Sequence, residues 1–198
     1  MIAETLSFLA GELNAYLNLK LVNPTSDPRV KVGNVARALD NSLTGPDSLD
    51  ERAILTLVNI EEDRTVRRQE TVVKTATTAK TKNPPLMLNL YVLLSVNKDD
   101  YPDSLVLLGH MLQFFQFQNN FTPLTHPSLD PRIQKVVVEL YTMNFEQVNH
   151  LWSTLGGKYL PSVLYKIRQL SVDEGAIISE SGLIREIRLD ERTLKAVS

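Results

Sequence analysis

The sequence predicts an α+β fold: a single mixed, mostly antiparallel sheet flanked by helices that cover one face. Three observations lead there. The hydrophobic periodicity runs helix, strands, helix, strand, helix, strands. Leu86, Leu88, Leu90, Val92, Leu94 and Val96 fill one face of a nearly unbroken apolar run, which fits the centre of a sheet. Amphipathic stretches at 2–19, 101–117 and after Asn144 supply the covering layer. Residues 1–198 read as one domain, with a basic flexible arm or hairpin at about 64–82.

The elements follow in order. Ile2, Leu6, Leu9, Leu13, Tyr16 and Leu17 recur at three- and four-residue steps and define the first helix. The loop 23–28, with Pro24 and Pro28, breaks it. Val30–Val35 reads as a short strand, and the polar stretch around Asn41, Gly45, Pro46 and Asp47 as a surface loop. Ala53–Asp63 is a strand apolar on both faces at first, which then emerges into water at Glu61, Glu62 and Asp63.

Residues 64–82 change character. They hold Arg64, Arg67, Arg68, Lys74, Lys80 and Lys82 against Glu70 alone, with six threonines and few large apolar groups. The segment carries +5, so the rest of the chain carries −7. It reads as a mobile arm or a protruding hairpin, either a merely disordered loop or a contact for an acidic protein or for phosphates. Pro84-Pro85 closes it and opens the central strand.

A turn at Lys98-Asp99-Asp100 leads into the helix 101–117, on which Leu105, Leu108, Leu112 and Phe115 form a ridge toward the sheet. That ridge leaves Phe114 and Phe117 either to pack in the core, the more common case, or to meet a neighbouring subunit. Ile133–Met143 is a strand. Asn144 with Gln147 is a capping box that starts the next helix, whose apolar face is Val148, Leu151, Trp152 and Leu155. Gly156-Gly157 stops it in the left-handed region. Tyr159–Val172 is a strand with Pro161 near its start, and Gly182–Leu189, alternating Leu183, Ile187 and Leu189 against Arg188, is a final edge strand.

Composition narrows the function. Apolar residues make up 43% and charged residues 22%, ordinary for a globular protein. The net charge of −2 gives no bulk attraction to nucleic acid or membrane. The chain has no cysteine, which excludes disulfides and cysteine-held zinc. The N-terminal stretch has Glu4 and Glu12 and no basic leader, so no signal peptide is expected there.

No constellation points to chemistry. His110, His126 and His150 stand alone, without the convergent spacing of a metal site. The run Glu61-Glu62-Asp63, with Glu139 as a possible neighbour in the sheet, reads as a solvated strand end neutralised by Arg64, Arg67 and Arg68. Gly156-Gly157-Lys158 lacks phosphate-loop spacing and follows a helix rather than opening one. The expectation is no catalytic residue, no cofactor and no metal. The basic arm leaves an alternative open, a nucleic-acid- or protein-binding adaptor, although the arm has no aromatic residue to stack bases.

Three blocks carry a resemblance. They are Leu57-Val58-Asn59-Ile60-Glu61-Glu62-Asp63-Arg64; Asn83-Pro84-Pro85 through Tyr91, followed by Tyr101 and Phe114-Phe115-Gln116; and Leu151–Ser162, ending at Tyr165-Lys166-Ile167-Arg168. In order and spacing the chain resembles the cap, or tail-terminator, family of extracellular contractile injection systems, the phage-tail-like particles of the antifeeding-prophage and virulence-cassette type. Longer members of that family carry a further C-terminal region, and this chain is expected to end without it.

The resemblance implies a structural, non-enzymatic role: a cap at the membrane-distal end of the inner tube and contractile sheath that stops both polymers growing. It implies a homo-hexameric ring on the terminal tube and sheath rings, without specific nucleic acid or direct membrane insertion. It also implies cytoplasmic assembly into a particle. The arm cations, Phe114, Phe117, Leu183, Ile187 and Leu189 are then the expected contact residues.

Overall fold

A computed structural model describes residues 1–21, 26–39, 45, 48–63, 71–74, 78–82, 86–172 and 177–182. In chain order the elements are α1 (Ile2–Lys20), β1 (Val30–Val32), α2 (Val35–Leu39), β2 (Arg52–Glu62), β3 (Thr71–Lys74), β4 (Thr78–Lys82) and β5 (Leu86–Asn97). There follow α3 (Tyr101–Phe117), β6 (Asn120–Phe121), β7 (Val136–Tyr141), α4 (Phe145–Thr154), β8 (Ser162–Val172) and β9 (Ile177–Gly182). The chain divides into two compact units, Met1–Thr65 with Leu86–Val172, and Val66–Pro85 with Asp173–Ser198.

The first unit is built on a six-stranded sheet in the order β1-β2-β5-β8-β7-β6. Only β1 and β2 run parallel; the other pairs are antiparallel. The expected mixed sheet and α+β class are therefore present, and the apolar run chosen as the centre is β5, paired on both sides. Register shifts between Leu57 and Asn59 on β2, and between Leu88 and Leu90 on β5, bend the middle of the sheet.

Helices cover both faces, not one. Leu55, Leu90, Leu94 and Ile167 pack with Leu9, Leu13, Met111 and Phe115, which puts α1 and α3 on one face. Ile54, Leu93 and Leu164 alternate to the other face and meet Val35 and Ala38 of α2 and Trp152 of α4. The sequence concealed this because α2 is so short. The chain leaves the sheet at Gly33, where the Thr56 hydroxyl donates to the Gly33 carbonyl (2.7 Å) and accepts from the Val35 amide (3.1 Å). Asn34 Oδ1 then accepts from the Ala36 amide (3.0 Å) and opens α2, so the strand expected to reach Val35 ends at Val32.

Helix ends follow the expected chemistry. Asp100 accepts from the Asp103 amide (3.2 Å) at the start of α3, with Pro102 in the first turn. Asn144 and Gln147 form the reciprocal capping box of α4 at 2.8 and 2.9 Å. Gly156 and Gly157 have φ of +112° and +77°, which only glycine adopts without strain.

The second unit holds a three-stranded antiparallel sheet in the order β3-β4-β9. Within the segment read as an arm or hairpin, residues 71–74 and 78–82 pair as a hairpin, Thr71 opposite Lys82 and Lys74 opposite Ala79. Its third strand, β9, lies ahead of the edge strand expected at 182–189 and meets it only at Gly182.

Candidate functional site

Among the described residues, no three His, Cys, Asp or Glu side chains converge as a metal site. His126 is a packing residue: its ring lies edge-on to Phe121 (5.0 Å) and Phe8 (5.9 Å). Trp152 fills the smaller core, against Tyr159 at 5.5 Å.

The carboxylate run is neutralised within the sheet. Glu61 accepts from the Tyr91 hydroxyl (2.6 Å) and sits 3.7 Å from Lys166. Arg168 joins Glu139 (3.4 Å) to Asp63 (4.0 Å). The sequence assigned that neutralising role to Arg64, Arg67 and Arg68, which lie outside the described residues. Donation to Glu61 raises the Tyr91 pKa, with burial second.

A groove of about 730 Å³ between α1 and residues 128–131 is lined by Glu4, Glu12 and Asp130. Its acids already have partners. The Met1 ammonium binds Glu4, Ser128 donates to Glu12 (3.2 Å) and Arg132 grips Asp130 at 2.5 Å. The Arg132 hydrogen bond holds the Asp130 pKa down to about 2.

Among the described residues, one run of exposed apolar side chains lies along α3. The expected ridge is rotated by one residue: Leu107, Met111, Phe114 and Phe115 are buried, whereas Leu105 and Leu112 are 46% and 36% exposed. Phe114, expected to reach a neighbouring subunit, is only 6% exposed. It packs on Tyr16 of α1 (5.2 Å), Phe115 (5.1 Å) and Phe121 (6.3 Å). The reason is α1, which lies beside α3 and turns the buried stripe toward itself, a contact no local pattern announces. Phe117 is 81% exposed.

Beside this row runs a second groove, of about 530 Å³, lined by Leu112, Phe115, Gln116, Asn119, Val138, Glu139, Leu140 and Tyr165. Burial pushes the Tyr165 hydroxyl up to about 12.

Of the remaining expected contact residues, Lys74 ends β3, and Lys80 and Lys82 lie on β4, in register with Glu180 and Ile177 of β9. Arg64, Arg67, Arg68, Leu183, Ile187 and Leu189 lie outside the described residues. Leu105 was expected on the ridge toward the sheet and is exposed, and Leu140 and the outer edge of β7 were not singled out. An open edge follows from strand order, which the sequence does not state.

This mixed sheet with its helices is an α+β fold shared with solved tube terminators. It is similar to the sheath/tube terminator of an extracellular contractile injection system, PVC, in its extended state, with a TM-score of 0.62 at 14% identity. That match covers 96% of this chain and 62% of the other. It is also similar to the tube-terminating cap of the anti-feeding prophage, with a TM-score of 0.52 at 14% identity over 91% of this chain and 57% of that one. The chain thus spans about three-fifths of the length of these structures. At such identity the structural likeness establishes a shared fold alone. The family is established by sequence: the Pvc16 N-terminal domain profile matches residues 4–186, and the chain belongs to that family. Curated protein sequences give no significant match. None of these matches supports an adaptor that uses residues 64–82.

Proposed function

We propose that this protein is a structural cap that terminates the inner tube and contractile sheath of a phage-tail-like contractile injection system. It acts as a homo-hexameric ring and catalyses no reaction. The observation that carries this reading is the family match over residues 4–186, joined to the fold shared with two terminators.

Physical reasoning supports the role. Stacked protein rings grow by presenting open strand edges and loops to the next ring. A terminator occupies those edges and offers no equivalent above. A ring of identical subunits closes through heterologous contacts, in which two different patches of the chain meet. The surface of this chain suits such a part, with apolar groups along α3 and acids held in ion pairs rather than gathered in a reactive pocket. Among the described residues, no helix is long and apolar enough to cross a membrane.

The basic segment contributes attraction to an acidic partner. Six copies of +5 place about thirty positive charges on one ring, enough to steer it onto an acidic tube or sheath rim. Arg64, Arg67, Arg68, Lys74, Lys80 and Lys82 are the residues that carry it. Electron microscopy of particles assembled without the protein tests the role directly. The expected result is a broad spread of tube lengths, and uniform normal lengths would refute it. Deleting residues 66–82 is expected to weaken capping; unchanged particle length and stability would remove the segment from the contact.

A further inference from the structure

We propose that Asn14 is a growth stop: its carboxamide occupies the outer edge of β1 and keeps a strand of a second copy of this chain from adding there. The inference goes beyond the cap reading and does not rest on it.

The two ends of the six-stranded sheet are finished differently. At one end β6 is only two residues long and pairs with Val136 and Val137. The Val138 amide donates to the Asn119 carbonyl (2.8 Å). Two positions further on, among the described residues, no strand lies outside Leu140. At the other end is β1, a three-residue strand beside β2. The Ala53 amide donates to the Arg29 carbonyl (2.8 Å), and the Gly33 amide donates to the Leu55 carbonyl (3.1 Å). Backbone groups alternate in direction along a strand, so Arg29, Lys31 and Gly33 face β2. Val30 and Val32 therefore direct their amides and carbonyls outward.

Outward groups of this kind are a template for another strand. At Val30 they meet a side chain instead. Asn14 Oδ1 accepts from the Val30 amide (2.9 Å), and Asn14 Nδ2 donates to the Val30 carbonyl (2.8 Å). A carboxamide holds a donor and an acceptor side by side, as a peptide group does. It makes the two bonds that one residue of an added antiparallel strand would exchange with Val30. A leucine of similar size offers neither bond, and an ionised aspartate offers only the acceptor.

The interior of α1 is otherwise a poor place for this residue, because asparagine competes there with the hydrogen bonds of the helix. Leu13 and Leu17 beside it are buried and seat the helix on the sheet. The amide at position 14 serves the strand edge rather than the helix. α1 adds bulk to the barrier, and the bonds to Val30 tie it there. A chain without them offers the edge whenever α1 opens locally, which takes less free energy than global unfolding. With both ends of the sheet open, β7 of one copy could meet β1 of the next, and the contact could repeat without closing.

Asn14→Leu in the full-length protein keeps the side-chain volume and removes both bonds. Sedimentation velocity, in native buffer and in urea below the unfolding midpoint, is expected to show about tenfold more material larger than the wild-type assembly. Val32→Pro added to that variant takes an outward amide off the same edge and spares the ladder to β2. It is expected to restore the wild-type distribution. Wild-type behaviour of a folded Asn14→Leu chain overturns the inference. Excess association that survives Val32→Pro overturns it too, since the new apolar side chain would then be acting through some other surface. Should Asn14→Leu fail to fold, Asn14→Ser, which adds no apolar group, is read in the same way. Loss of the fold in both variants overturns the inference, because Asn14 would then hold the subunit together rather than guard an edge.

Discussion

Helices α1 and α3 lie on the same face of one sheet, yet only α1 buries the stripe its sequence advertises. In α1 the row Leu6, Leu9, Leu13 and Leu17 is buried, and the opposite face is polar. In α3 the row Leu105, Leu108 and Leu112 looks equally suited, but Leu105 and Leu112 are exposed, Leu108 is only partly buried, and the helix buries Leu107, Met111, Phe114 and Phe115. A helix with a single apolar stripe has one way to sit. A helix apolar on several sides lets its neighbours choose, and the side not chosen remains as surface. The first helix spends its apolar stripe on the core; the second leaves part of its apolar surface exposed.

Adjacent residues on α3 give the largest contrast. Met111 is fully buried, so Met111→Ala is expected to cost about 3 kcal/mol in urea unfolding, as is Leu13→Ala on α1. Equal costs for Met111→Ala and Leu112→Ala would show that the helix phase is wrong.

The next effect appears in alkali. Tyr165 lies under the end of α3, its ring 4.7 Å from that of Phe115. Its pKa of about 12 exceeds the unfolded value of about 10. The stabilisation is fully present below pH 10 and is lost as pH rises toward 12, because the unfolded chain ionises first. Unfolding curves between pH 9 and 12 are expected to show the decline, and Tyr165→Phe to flatten it.

Removing the Asp100 cap from α3 with Asp100→Ala is expected to cost about 1 kcal/mol, measured the same way. Leu105→Ala, on the exposed row, is expected to change subunit stability by about 0.5 kcal/mol or less. A larger loss in the isolated subunit would mean that this row is already covered.

Legibility in the sequence followed the same line. β5 was readable because burial on both faces leaves an unbroken apolar run, and α4 because its start and stop are written in side-chain chemistry, Asn144 with Gln147 and then Gly156-Gly157. α2 was hidden, since five residues are too few for a period and the Asn34 turn that opens it resembles any loop. The choice between core and surface for Phe114 could not be read locally, because its cover, Tyr16, lies nearly a hundred positions away. Residues 71–82 showed a hairpin's composition, but their partner β9, with the polar sequence Ile-Ile-Ser-Glu-Ser-Gly, carries no alternation to announce it. The edge of β7 could not be read at all, because openness is a property of strand order.

The place of β8 between β5 and β7 has a consequence during synthesis. The ribosome releases β5, α3 and β7 well before the strand that joins them. Until Ser162–Val172 emerges, β5 has a neighbour on one side only, and β7 has none but the two residues of β6. The nascent chain must carry its most apolar strand half-clothed through that interval, and folding of the first unit is completed late, by an insertion rather than by an addition at the rim.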